Sequence, residues 1–242
     1  LLLSTVGLVL PGWAQAEADG LAAALERLQA EDPLVADAAV EDLVALGPEA
    51  VDALLPLLAS PARDVRAGAI RGLGLLGDGR ARRPLTEALA TSLARQAPDD
   101  MASRYHRILL VEALGRVGAD AEGAGLLRGV QASDDPFERA HATIALFRSG
   151  EDPGYDAVRQ LLESEDPALR VLAVNGIGEE GAAEAPDLLL PLTEDASWLV
   201  RDAAFAALAP WRAEDRVAQA LRRGAEDPSW YVRETVAKAA AP

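Results

Sequence analysis

The chain contains no cysteine. Disulfides, thiolate metal sites and cysteine nucleophiles are therefore excluded, while the redox compartment stays open. Aromatic residues are scarce, at 4% of a 242-residue sequence that is half hydrophobic, so alanine and leucine supply most of the apolar volume. Helices packed closely through small side chains suit that composition. Basic residues are outnumbered, 23 against 39 acids, for a formal charge of −16. Nucleic-acid binding draws on clustered Lys and Arg that release counterions from phosphates, so neither nucleic acid nor an anionic membrane is an expected partner. A cationic protein, by contrast, would be steered toward such a surface.

The apolar run Leu1 to Leu10 falls short of the roughly 20 residues of a membrane span. Pro11 and Gly12 break it, and Ala14-Gln15-Ala16 places small residues at the two positions a signal peptidase reads. Residues 1–16 thus read as the remnant of a secretory signal peptide without its Met and basic segment. The mature chain would begin near Glu17, exported to a bacterial periplasm or beyond, with no stable membrane insertion after cleavage. A monomer is expected.

What the sequence has in abundance is repetition. Arg66, Arg107, Arg139, Arg170, Arg201 and Arg233 recur at gaps of 41, 32, 31, 31 and 32 residues, the mark of a tandem array. Three residues after each stands Ala69, Leu110, Ala142, Ala173, Ala204 or Val236, and seven after stands Leu73, Leu114, Leu146, Ile177, Leu208 or Ala240. That spacing is one face of a helix. Ala36, Ala39 and Leu43 supply an N-terminal copy in the same register. Because each motif of such an array touches only its neighbours, residues 17–242 are read as one elongated unit with an incomplete last repeat.

Each unit shows two helices. The first is expected to start beyond an Asp-Pro or Ser-Pro pair, at Asp32-Pro33, Ser60-Pro61, Asp135-Pro136, Asp166-Pro167 and Asp227-Pro228, where Asp or Ser caps free amides and Pro fits the first helical position. Gly47, Gly77, Gly118, Gly150 and Gly181 are placed to end it through a left-handed turn. In the sixth unit Arg212 stands where the glycine is expected, so that turn must be built differently. Second helices follow, for example over Pro48 to Leu58 and Ala185 to Thr193. Pro56 and Pro191 share one register position there and should bend the helix or delay its start. About ten extra residues between Arg66 and Arg107 are placed around Ala94 to Tyr105.

Helix pairs of this length, with Val-Arg near the start of the first helix at Val65-Arg66, Val200-Arg201 and Val232-Arg233, resemble HEAT repeats, in particular the short type of phycobilin lyases. The resemblance runs from about Asp32 to the C-terminus. It implies an all-α, right-handed α-α superhelix, a HEAT-like solenoid of about seven two-helix repeats, with second helices on the concave side and a binding scaffold as its usual role.

Chemistry is sparse beside this. Gly72-Leu73-Gly74-Leu75-Leu76-Gly77 matches the dinucleotide fingerprint in letters but falls at the end of a helix, whereas the motif works between a strand and a helix N-terminus. His106 and His141 stand far apart in the sequence with no cysteine between them, which is not the ligand spacing of zinc or the constellation of a catalytic triad. The doublets Asp99-Asp100 and Asp134-Asp135 lack a calcium loop's alternating ligands; the second suits helix capping, and weak cation binding is the alternative for the first. The repeat arginines are read as structural, their stems packed between helices and their guanidinium groups on carbonyls or carboxylates, with Asp78, Asp120 and Asp152 as candidate acceptors. Trp198 and Trp230, with Trp211 and Tyr231 nearby, are read as packing between successive turns, with a binding hot spot as the alternative.

The second helices supply the candidate site. Counting back from the next repeat arginine, positions −12 and −9 are mostly apolar and must face the core, so −14, −11, −10 and −7 face outward. Asp156, Arg159, Glu163, Asp187, Arg222, Arg223 and Glu226 then form one mixed-charge surface. The expected function is an exported, non-enzymatic scaffold that binds a protein or peptide there, cationic if the surface charge steers it, with no cofactor and no metal. The alternative, carried by the resemblance alone, is a lyase or chaperone-lyase acting on a chromophore-bearing protein. A HEAT-like DNA glycosylase requires a positively charged groove, and the acidity together with the signal peptide argues against it.

Overall fold

The computed structural model describes residues 12–94, 100–151, 154–181 and 183–241, and every regular element among them is an α-helix or a short 3₁₀ turn. They fall into two compact units, one ending at Val117 and one beginning at Gly118. In the first, α1 (Gly12–Arg27) precedes α2 (Pro33–Ala45), α3 (Glu49–Leu54), α4 (Arg63–Leu76), α5 (Arg82–Ala94) and α6 (Met101–Val117). The second holds α7 (Ala121–Gln131), α8 (Pro136–Arg148), α9 (Gly154–Leu162), α10 (Pro167–Glu180), α11 (Ala185–Leu189), α12 (Trp198–Leu208), α13 (Asp215–Gly224) and α14 (Trp230–Ala240). From α2 onward, even numbers are the first helices of repeats and odd numbers the second. First helices stack side by side, α2 on α4 on α6 in one unit and α8 on α10 on α12 on α14 in the other.

The expected register is the buried one. Third positions from Ala39 to Val236 are at most 2% exposed, and seventh positions from Leu43 to Leu208 at most 1%. Ala240, the last seventh position, is exposed. At roughly 25 cal/mol per Å² of apolar surface removed from water, this repeating stripe is the main favourable contribution to the stack.

Asp32, Asp135 and Asp166 accept amide hydrogen bonds at the helix starts, with Pro33, Pro136 and Pro167 as first helical residues. Two expected starts shift. After Ser60-Pro61 and Asp227-Pro228 the helices begin at Arg63 and Trp230. Those pairs stand six residues before the repeat arginine instead of four, and their side chains accept from Ala62 N at 3.3 Å and Ser229 N at 2.8 Å, forming a turn ahead of the helix.

Gly47, Gly77, Gly118, Gly150 and Gly181 all have positive φ, between 63° and 83°. A Cβ there would crowd the following carbonyl, which is why glycine ends these helices. In the sixth repeat a 3₁₀ turn, Ala209–Trp211, follows α12, and Arg212 keeps a right-handed φ of −56°. The two second-helix prolines change the helix type: α3 and α11 pass at Leu55 and Leu190 into 3₁₀ segments with Pro56 and Pro191 in second place. Part of the insertion is helical, since Met101 to Tyr105 forms the first turn of α6, while residues 95–99 lie outside the described residues. Leu1 to Leu10 lies outside them too, and α1 runs through Ala14-Gln15-Ala16. Among the described residues no helix is long and apolar enough to cross a membrane.

Candidate functional site

Repeat arginines bind the chain's own connections. Arg66, Arg139, Arg170, Arg201 and Arg233 each sit in the first turn of their helix and turn back onto the connection that precedes it, whereas Arg107 is the seventh residue of α6. Nη1 of Arg139 donates to Ser133 O and Asp134 O, both at 2.9 Å, and Arg66, Arg170, Arg201 and Arg233 make the same pair of bonds six and five residues back. In the later repeats the other edge of the fork reaches the next connection. Arg170 donates Nε and Nη2 to Asp195 at 2.9 and 2.8 Å, and Arg201 donates the same two atoms to Asp227 at 2.7 and 2.9 Å. Both pairs are largely buried, at 14% and 10% and at 13% and 7% side-chain exposure.

The structural reading of these arginines therefore holds, but the acceptors differ from those expected. Asp78 binds Arg80, Asp120 caps α7 through Gly123 N, and Asp152 lies outside the described residues. The reason is distance: Asp78 follows Arg66 by twelve residues, about 18 Å along a helix and at its far end. The missed acceptors stand six residues before a repeat arginine, where earlier copies carry Ser60, Ser133 and Ser164 and the last two carry Asp195 and Asp227. Their pKa values reflect the contact. Burial pushes the Asp195 carboxyl up, yet the Arg170 hydrogen bond, the Ser197 amide and the nearby Arg170 and Arg201 charges hold it below its ordinary value. The Arg201 hydrogen bond, with the Ser229 amide and the Arg201 and Arg233 charges, holds Asp227 low against its burial.

The other sequence motifs resolve into architecture. A Cβ on Gly74 would lie 2.8 Å from Ala113 Cα, and one on Gly72 3.0 Å from Leu54 Cδ1, so both glycines mark close helix approach, and Gly77 is the left-handed end. Asp100 accepts from Ser103 N at 2.7 Å and Asp135 from Phe137 N at 2.9 Å, so one member of each acidic doublet caps a helix; Asp99 lies outside the described residues. His106 and His141 belong to α6 and α8. Among the described residues no three His, Asp or Glu side chains converge to hold a metal ion.

The second-helix face is as the periodicity predicts. At position −12, Leu54, Val158, Leu189 and Leu221 are buried, and Asp156, Arg159, Glu163, Asp187, Arg222, Arg223 and Glu226 are all exposed, within the second unit. The structure ties two of the seven to residues that sequence reasoning missed. Asp187 pairs with Arg216, which Glu214 also holds at 3.0 Å, and Arg223 lies 3.7 Å from Glu194. The first unit repeats the device, with Arg80 held by Asp78 and reaching Asp52 on α3 at 3.0 Å. The hydrogen bonds that Arg216 donates to Glu214 and then to Asp187 raise its pKa. The overlooked signal is acid-x-Arg after the first helix, at Asp78-Gly79-Arg80 and Glu214-Asp215-Arg216. Among the described residues, Asp156, Arg159, Glu163, Arg222 and Glu226 enter no ion pair and project into solvent. Such a row of charges of both signs can recognise a complementary polar surface; it offers no nucleophile or acid/base pair in an enclosed pocket.

Arg222 also borders an apolar groove of about 710 Å³ between α13 and α14, with Leu221, Val236 and Ala240 on its walls. At the opposite ends of the first helices, Trp198 and Tyr231 stack across successive repeats, as the packing reading expected, yet both remain substantially exposed; Trp211 packs against the core.

The sequence model described as HEAT repeats matches residues 20–97 and 155–241, more than half of the chain. No curated protein matches. Among solved structures, the complex of CpcE and CpcF of phycocyanin lyase from Nostoc sp. is 19% identical, with 84% of this chain and 92% of that one covered and a TM-score of 0.56. Human deoxyhypusine hydroxylase in complex with glycerol is 20% identical over 90% of this chain and 82% of its own, with a TM-score of 0.41. At these identities the likeness is one of fold alone.

Proposed function

The chain belongs to the HEAT-repeat family, and on that premise we propose that it is a non-enzymatic scaffold that holds a protein or peptide partner on the face of its second helices. The observation that carries the reading is the exposed row from Asp156 to Glu226, whose seven charged residues lie on successive second helices or, at Glu163 and Glu226, just past their ends, and take no part in the core. A segment with the reverse order of charges would find several ion pairs at once, and the attraction would weaken with salt.

Replacing Asp156 and Asp187 by lysine tests this face. Partner recovery by the immobilised protein, identified by mass spectrometry and compared with wild type, should fall at least about tenfold, the equivalent of roughly 1.4 kcal/mol. Thermal stability should move little, because Asp187–Arg216 is an exposed pair of a kind worth at most about 1 kcal/mol. Equal recovery by the variant would remove this face from consideration.

We place the scaffold outside the cytoplasm. The support is compositional, the apolar segment Leu1 to Leu10 followed by Ala14-Gln15-Ala16. Intact-mass measurement after expression in a bacterial host should give a chain beginning near Glu17; material still carrying Leu1 to Ala16 would count against export. The alternative, a lyase for a chromophore-bearing protein, rests on likeness of fold to the phycocyanin lyase complex. Absorbance on mixing with a bilin separates the two readings.

A further inference from the structure

The core of this chain is built almost without aromatic rings, yet three are gathered at the surface. Trp198 begins α12, and Trp230 and Tyr231 begin α14. The Trp198 and Tyr231 rings lie 4.9 Å apart at 18°, and the Trp230 and Tyr231 rings 3.7 Å apart at 29°. Trp198, Trp230 and Tyr231 remain 39%, 55% and 48% exposed. The chain has only four tryptophans and three tyrosines, so this stack takes a large share of them. Packing does not call for it, since the buried residues of the two helices are Val200, Ala204, Phe205 and Leu208, and Val232, Val236 and Ala239.

The stack belongs to a repeating feature. Two residues before the repeat arginine stand Phe137 at 40% exposure, Leu199 at 48% and Tyr231 at 48%, on the N-terminal rims of α8, α12 and α14. In the first unit the same register holds Leu34 at 78% and Tyr105 at 54%. That register is bulky, apolar and water-facing in five of the seven copies, with Asp64 and Ala168 in the other two; the core does not explain it, and exposed aromatic clusters of this kind mark contact sites.

The electrostatic setting selects the occupant. Aromatic faces carry negative potential and take up cations, with the planar guanidinium of arginine the best match because it stacks and is weakly hydrated. One turn along α12 from Trp198 lies Asp202, whose Oδ1 is buried without a hydrogen-bond partner. The chain as a whole carries −16. An anionic membrane would be repelled by that charge, whereas a basic segment would be drawn in.

We propose that Trp198, Tyr231 and Trp230 form a docking platform for an extended, arginine-bearing segment of a partner protein, separate from the second-helix face. Arginines at alternate positions of such a segment project to one side and can lie against the stack, while its neighbours run along the apolar rim.

The probe is an extended peptide carrying arginine at every second position, with its neutral citrulline analogue as control. On titration, the indole N–H resonances of Trp198 and Trp230 should shift while that of Trp211 stays in place. The triple replacement Trp198→Ala, Trp230→Ala and Tyr231→Ala should weaken binding at least about tenfold, and Trp198→Phe should retain most of it. The citrulline peptide should bind at least about tenfold more weakly to wild type. Asp156→Lys, which alters only the other face, should leave the indole shifts in place, so the two surfaces can fail independently. Equal binding of both peptides, or unchanged affinity in the triple variant, would mean diffuse attraction to an acidic surface and would overturn the platform. So would indole shifts produced only by zwitterionic lipid vesicles, or self-association abolished by the triple variant. Should the triple variant not fold, the wild-type indole shifts decide.

Discussion

Arg201→Ala is expected to lower the free energy of unfolding by about 3 kcal/mol, because it strands a buried carboxylate. Arg201 closes its own turn through Asp195 O at 2.8 Å and Ala196 O at 3.3 Å, and its opposite edge holds Asp227, whose side chain is 7% exposed. Removing the guanidinium leaves two carbonyls and one charge short of partners. Asp227→Ser installs the residue type found six places before Arg66, Arg139 and Arg170, and the serine can keep the turn to Ser229 N. In urea unfolding, Arg201→Ala with Asp227→Ser should therefore be less destabilised than Arg201→Ala alone. A single-variant loss below about 0.5 kcal/mol would mean that the pair is solvated.

The same pairs predict a pH dependence of definite sign. Asp195 and Asp227 are held below their ordinary pKa, so they bind fewer protons in the folded chain than in the unfolded one. Their contribution is fully present above about pH 4, the ordinary aspartate value, and is lost as pH falls through the lowered folded values. Arg201→Ala removes the largest influence on Asp227, so the gap in stability between wild type and variant should narrow on acidification from neutrality. A gap independent of pH would contradict the ion-pair account.

The second large effect belongs to helix contact. Gly74→Val is expected to cost about 3 kcal/mol, since its Cβ would lie 2.8 Å from Ala113 Cα and 2.9 Å from Ala113 Cβ. Neither neighbour can swing aside, so α4 and α6 must separate or tilt and lose buried area. Gly125 supplies the opposite sign. It lies exposed within α7 with nothing within 4 Å of its missing Cβ, and Gly125→Ala should stabilise by about 1 kcal/mol through helix propensity alone. Urea midpoints measure both. If Gly74→Val and Gly125→Ala moved stability alike, close approach would not be the reason for the glycine.

Much of the candidate face was legible because its signal is periodic. Leu54, Val158, Leu189 and Leu221 face inward, and that alone fixes Asp156, Asp187 and Glu226 as outward. Arg216 was missed because its partner Asp187 lies on the preceding second helix, 29 residues earlier in sequence, and Glu214 enters the site only through Arg216. Trp198, Trp230 and Tyr231 were legible as neighbours packing between successive turns, but their exposure was not. Whether a ring at a helix start is covered depends on what the next repeat places over it, and the sequence carries no distance between Trp198 and Tyr231.

By itself, then, the sequence determined the helix pairs, the buried register from Ala39 to Val236 and the left-handed ends at Gly47, Gly77, Gly118, Gly150 and Gly181, because each follows from interactions within about one helical turn. Tertiary structure decided which carboxylate each arginine meets, which glycines lie against a neighbouring helix and which rings stay in water. Those outcomes depend on angles and offsets between helices tens of residues apart, where a shift of a few ångströms exchanges one partner for another.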